Sequence, residues 1–110
     1  MSRYGVGDIC LFREDEKKRP VVIINNGLGI DLDMTSLRIT SQRPRNEYDV
    51  EIMYWKEAGL DKPSIVRCSK INTIAPGEPM LKIGKLHALD FVIVSEKVKA
   101  YITKGLEEAL

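Results

Sequence analysis

The sequence predicts a mainly β protein with a C-terminal helix, and three observations carry that prediction. Short apolar runs recur along the chain with turn-forming residues between them. The bulkiest, Val21-Val22-Ile23-Ile24, is β-branched throughout and reads as a buried strand, which Asn25-Asn26-Gly27 ends with turn chemistry. Beyond His87 the period changes. Phe91, Val94, Val98, Tyr101 and Ile102 fall near i, i+3, i+7, i+10 and i+11, the stripe of an amphipathic helix. Short strands followed by one terminal helix describe a small twisted barrel or a sheet with a helical cover. The 110 residues fit a single domain, 1–110, with no repeat, linker or low-complexity segment to divide it.

In chain order, Gly7-Asp8 signals a turn into Ile9-Cys10-Leu11-Phe12, a short apolar strand. A hairpin follows through a charged tip, Glu14 to Lys18, where mixed charge and the absence of glycine predict an exposed loop of some mobility. Pro20 fixes φ and has no N–H, which suits the first residue of a strand, so Arg19 stands where loop becomes sheet. Ile30, Leu32 and Met34 alternate with Asp31 and Asp33, and Leu37 and Ile39 with Arg38 and Thr40: one bent strand or two short ones. Val50, Ile52 and Tyr54 alternate with charged neighbours as a partly exposed strand, and Trp55 to Leu60 fits one helical turn capped by Gly59. Pro63 opens a strand from Ser64 to Cys68. Lys70 to Ile74 continues it until Pro76-Gly77, and Leu81, Ile83 and Leu86 form the last strand. The helix is expected from Phe91 to Ile102, with Gly105 ending or fraying it.

Composition excludes several classes. No window approaches the ~20 apolar residues of a membrane span, and MSRYGVGDICLF lacks the apolar core of an export signal, so a cytoplasmic address follows by default. Cys10 and Cys68 are far apart in apolar surroundings, which fits two reduced core thiols rather than a redox pair or zinc set. Asp31 and Asp33 alternate with apolar residues as on a strand with one wet face, so no metal is assigned to them. A net charge of +1 does not select a polyanion, but Arg13, Lys17, Lys18 and Arg19 gather at one end and Arg38, Arg43 and Arg45 form a second group. Such clusters make either a basic surface or solvated hairpin tips.

Taken together, Gly7-Asp8, Arg19-Pro20-Val21-Val22-Ile23-Ile24, Ile39-Thr40-Ser41, Pro63-Ser64-Ile65-Val66-Arg67-Cys68 and Ile83-Gly84-Lys85-Leu86 resemble the MazF/PemK/Kid family, the toxins of type II toxin–antitoxin pairs. The resemblance covers nearly the whole chain in order. It implies an SH3-like barrel of the MazF/CcdB type, a homodimer, and a metal-independent, cofactor-free, sequence-specific endoribonuclease acting on single-stranded RNA. It also implies an antitoxin whose acidic C-terminal segment occupies the RNA groove, with DNA reached only through that antitoxin. The family's catalytic arginine before the strand proline falls on Arg19, and its threonine in the I-T-S segment on Thr40. Two departures are visible: the hairpin before Arg19 is short, and Ser69 stands where the Kid branch has the aspartate of Arg-Cys-Asp.

Cutting RNA without a metal uses the 2′-hydroxyl as nucleophile, which requires proton removal, stabilisation of charge on the phosphate, and protonation of the 5′-oxygen. A two-histidine site is excluded within one chain, because His87 is the only histidine; it reads as a helix-end residue. Arg19 fits a scissile phosphate bidentately, and Thr40 donates to a phosphate oxygen or orients the attacking hydroxyl. On the expected RNA path, Lys17, Lys18, Arg43 and Arg67 meet phosphates while Ser41 and Gln42 read base edges. Arginine is a poor base at neutral pH, which leaves the proton to a group such as Glu14 or Glu16. Two other readings compete: a catalytically silent module of the same fold that binds nucleic acid or protein, and gyrase inhibition of the CcdB kind, which the non-aromatic tail from Gly105 to Leu110 disfavours.

Overall fold

The computed structural model describes residues 4–78 and 80–110, with Glu14 described by its backbone only. Six strands form one antiparallel sheet: β1 Asp8–Glu14, β2 Lys17–Asn25, β3 Met34–Thr40, β4 Asp49–Glu51, β5 Ile65–Ile74 and β6 Met80–Lys85. Their spatial order is β4-β5-β3-β2-β1-β6. The two outer strands, β4 and β6, do not pair with each other, so the expected mainly β fold with a C-terminal helix is built on a sheet that stays open. The single helix, α1, spans Ala88–Glu107.

Period-two alternation along β1 and β2 divides the apolar residues between two clusters. Ile9, Val22, Leu37, Ile39, Val66 and Cys68 bury against Val94 and Val98, an i, i+4 pair on one face of α1. On the other side Cys10, Val21, Ile23, Met34 and Ile74 pack together under Tyr4, Phe12 and Met80. His87 caps α1 as expected of a helix-end residue: its Nδ1 accepts the Leu89 N–H at 3.1 Å. Gly105 lies inside the helix, in an exposed last stretch where glycine costs only about 1 kcal/mol relative to alanine.

Several boundaries differ from expectation. The hairpin tip is a tight reversal at Asp15-Glu16, with Asp15 in the left-handed region at φ 55°, a conformation aspartate tolerates better than most residues. Pro20 is not the first residue of its strand; it sits one residue before β2 begins to pair with β3, where a missing N–H costs no bond to β3. The Ile30–Leu32 alternation belongs to a loop, and Leu28, Ile30 and Leu32 are all exposed. β4 is only three residues long because the chain turns at Met53 and Tyr54. The strand expected from Ser64 and continued through Lys70 to Ile74 is β5, whose pairing with β3 shifts register between Leu37 and Arg38. No described helix is long and apolar enough to cross a membrane.

Candidate functional site

β2 and β3 are held by the rungs Val21↔Arg38, Val22↔Leu37 and Ile23↔Ser36. Carried two residues further, that register sets Arg19 opposite Thr40. The ladder stops at Val21, and a cavity of about 410 Å³ opens at the strand ends. Leu11, Pro20, Ile39, Leu60 and Ile83 give it an apolar lining, and Lys18, Arg19, Thr40 and Ser41 line it from β2 and the end of β3. Its size lies within the range of small-ligand sites, and the mixture of apolar wall with few polar groups is the composition such sites have.

A third segment completes it. Thr40 pairs with Ile65, so the loop before β5 reaches the same opening and contributes Asp61, Lys62 and Ser64. This loop is anchored at both ends: the Leu60 N–H donates to the Trp55 carbonyl at 3.1 Å, and the Ser64 carbonyl accepts the Ile52 N–H at 3.0 Å. Within it, the Ser64 hydroxyl donates to the Lys62 carbonyl at 2.9 Å. Behind it, Gly59 at φ 93° lies back to back with Gly84 of β6; a Cβ built on Gly59 would meet the Ile83 carbonyl, and one on Gly84 the Ala58 carbonyl. Glycine is needed at both positions for this approach, and at Gly59 for the left-handed φ as well. Asp90, fully buried in the first turn of α1, accepts the N–H groups of Met53 and Tyr54 at 3.0 Å each and so pins the preceding turn to the helix. The His87 ring stacks on Tyr54 at 4.1 Å, away from the cavity lining.

Of the residues singled out by sequence, Lys18, Arg19, Thr40 and Ser41 share the cavity; Lys17, Gln42, Arg43 and Arg67 do not line it. Thr40 Oγ1 accepts the Gln42 N–H at 3.2 Å, which leaves its own hydroxyl proton to donate elsewhere. The expectation for Arg67 is corrected. Its guanidinium is buried against Asp49, with Nη1 to Oδ2 at 2.6 Å, and Nη2 donates to Gln42 Oε1 at 3.1 Å. The Gln42 amide oxygen also accepts from Arg45 Nη2 at 3.2 Å, while the residue itself is exposed. These bonds, together with Arg45 N–H to Asp49 at 2.7 Å, fasten the loop after β3. Glu16 is exposed and off the cavity, while the Glu14 side chain lies outside the described residues. Asp61, Lys62 and Ser64 were missed as site residues; Pro63-Ser64 was read only as the opening of a strand, and the signal that places them, the Thr40 to Ile65 rung, is tertiary.

Both cysteines are fully buried and free, and burial first, with Asp8 beside Cys10 and Asp49 beside Cys68 acting in the same direction, pushes each thiol up to about 11. Neither is poised as a nucleophile, since the reactive species is the thiolate.

With this geometry in place, comparison with known proteins is decisive about lineage. The family model described as PemK-like, MazF-like toxin of type II toxin–antitoxin system matches residues 9–102. The chain belongs to that family. Among solved members of similar fold, a Mycobacterium tuberculosis toxin, MazF-mt6, aligns with a TM-score of 0.73 at 24% identity, covering 87% of this chain and 96% of its own. A MazE-MazF structure from Deinococcus radiodurans aligns at 0.75 with 13% identity, covering 90% and 94%. A mycobacterial endoribonuclease in complex with its cognate antitoxin aligns at 0.72 with 15% identity, covering 89% and 93%. At these identities the likeness establishes a MazF-like fold. No curated protein matches the chain in sequence.

Proposed function

We propose that this PemK/MazF-like toxin is a metal-independent, sequence-specific endoribonuclease that cuts single-stranded RNA through its 2′-hydroxyl, with Arg19 and Thr40 as the catalytic pair. The observation that carries the reading is their convergence: residues from two neighbouring strands, beyond the last rung between them, line one open cavity beside Lys18 and Ser41. In the reaction the 2′-oxygen attacks phosphorus and the P–O5′ bond breaks, leaving a 2′,3′-cyclic phosphate and a 5′-hydroxyl. The Arg19 guanidinium presents a planar fork of donors to the phosphate, whose negative charge is most crowded in the transition state. Thr40 supplies a hydroxyl donor to a phosphate oxygen. Lys18 meets the neighbouring phosphate and Ser41 a base edge, while Lys17 and Arg43, exposed near the cavity's two strands, extend the electrostatic path.

The same reading includes a homodimer, a cytoplasmic site of action and an antitoxin whose acidic C-terminal segment competes with RNA for this basic mouth. Support for such a partner comes from the MazE-MazF and antitoxin-bound structures that share the fold. The test is incubation of the purified protein with single-stranded RNAs of varied sequence in excess chelator. Cleavage that disappears in Arg19→Ala and Thr40→Ala supports the proposal; intact RNA across all sequences favours a silent binding module. RNA affinity should also fall steeply with salt, because each phosphate contact releases counterions.

A further inference from the structure

A nuclease that works through the 2′-hydroxyl needs a group to take that proton, and neither Arg19 nor Thr40 is one. Arginine is ionised at neutral pH and a threonine hydroxyl is a poorer base still. Among the described residues, the remaining polar side chains lining the cavity are Lys18, Ser41, Asp61, Lys62 and Ser64. Lysine is protonated at neutral pH and the serines share the weakness of threonine, so one carboxylate is left.

Among the described residues, four other candidate acceptors are engaged elsewhere, and Glu16 is exposed and off the cavity; the Glu14 side chain lies outside the described residues. Both oxygens of Asp90 accept backbone N–H groups, Asp49 is buried under Arg67, Asp8 binds the Gly5 N–H and Lys82, and His87 Nδ1 caps α1. Asp61, by contrast, is exposed, lines the cavity and makes no hydrogen bond or ion pair with any described residue. Its loop is held by the Leu60, Lys62 and Ser64 bonds, so the carboxylate is carried on a braced segment, as a catalytic position requires.

Resting on the ribonuclease reading, we propose that Asp61 is the proton acceptor for the attacking 2′-hydroxyl. The carboxylate takes the 2′-proton as the O2′–P bond forms. The P–O5′ bond breaks, the 5′-oxygen takes a proton from water at the open mouth, and Asp61 returns its own to solvent, so the balance closes without a further reactant. Lys18, Arg19 and Lys62 are the charged groups among the described residues that share the cavity with it.

The test compares Asp61→Asn and Asp61→Glu with the parent on one cleavable RNA and on its uncleavable 2′-deoxy analogue. Removing a general base is expected to lower kcat by 10²–10⁴-fold. Asp61→Asn should show that loss, bind the 2′-deoxy analogue at least as tightly as the parent, and lose the rise of kcat/KM with pH on the acid side. Asp61→Glu should restore part of the rate. A residue that merely braces the loop would lose affinity and rate together and keep the pH profile. Asp61→Asn cleaving within threefold of the parent, or keeping the acid-side rise, overturns the assignment while leaving the nuclease intact; a parent protein that cuts no RNA overturns both.

Discussion

The cavity at the ends of β2 and β3 and the loop that follows β3 are close neighbours, and each is served by an arginine that the sequence reading marked for RNA, Arg19 of β2 at the cavity and Arg67 of β5 at the loop. They use it in opposite ways. Arg19 borders open space beside a hydroxyl and two lysines, whereas Arg67 is shut in with Asp49 and spends its donors on holding Gln42. The difference teaches that a guanidinium's role is set by what stands within hydrogen-bond reach. Basicity and position in a motif are shared by both residues; accessibility separates them.

The sharpest way to break the comparison is to remove each arginine. Arg19→Ala should reduce RNA cleavage by about 10²–10³-fold or more, the cost of losing one donor aimed at developing charge, with little change in urea midpoint. Arg67→Ala should do the reverse. It strands a buried carboxylate, a loss of about 3–5 kcal/mol of stability, read as a lower urea midpoint at unchanged m. If Arg67→Ala instead keeps its stability and loses only RNA affinity, the division drawn here fails.

A smaller effect sharpens the boundary between the two regions. Gly84→Ala forces β6 away from the Ala58 carbonyl and should cost about 1–3 kcal/mol, with the cavity wall displaced and cleavage reduced alongside stability. The smallest effect concerns the cysteines that lie beneath both. Their thiol pKa values are raised on folding from the ordinary 9.0 to about 11, so the folded state favours the neutral form. That contribution is fully present below pH 9 and is lost as pH rises towards 11, so the melting temperature should fall across that window. Replacing both cysteines with alanine should flatten this limb, though the smaller side chains lower the baseline.

How much of this was legible beforehand follows from which forces are local. Val21–Ile24 and the α1 stripe were readable because burial imposes a period on neighbouring residues. That Arg19 and Thr40 line one cavity could be anticipated only through resemblance, since no local rule connects two strands. Ile30 and Leu32 misled for an instructive reason: alternation predicts a strand only when one face is covered, and here both residues are exposed. Ser69 and Lys70 did not obscure β5, because a polar pair in a long strand is tolerated where the sheet face meets solvent. Arg67 could not be assigned from sequence because its partner, Asp49, is brought alongside by the β4–β5 pairing. Asp61 was invisible for the same reason.

The meeting of Gly59 and Gly84 reaches beyond this one chain. Two backbones that touch with no side chain between them leave no slack, so bulk at either point in a related protein must be answered by a wider separation. The chamber beside them would then change its shape without any alteration to the residues facing into it. Relatives that differ at those two positions are accordingly the ones in which to expect altered substrate preference.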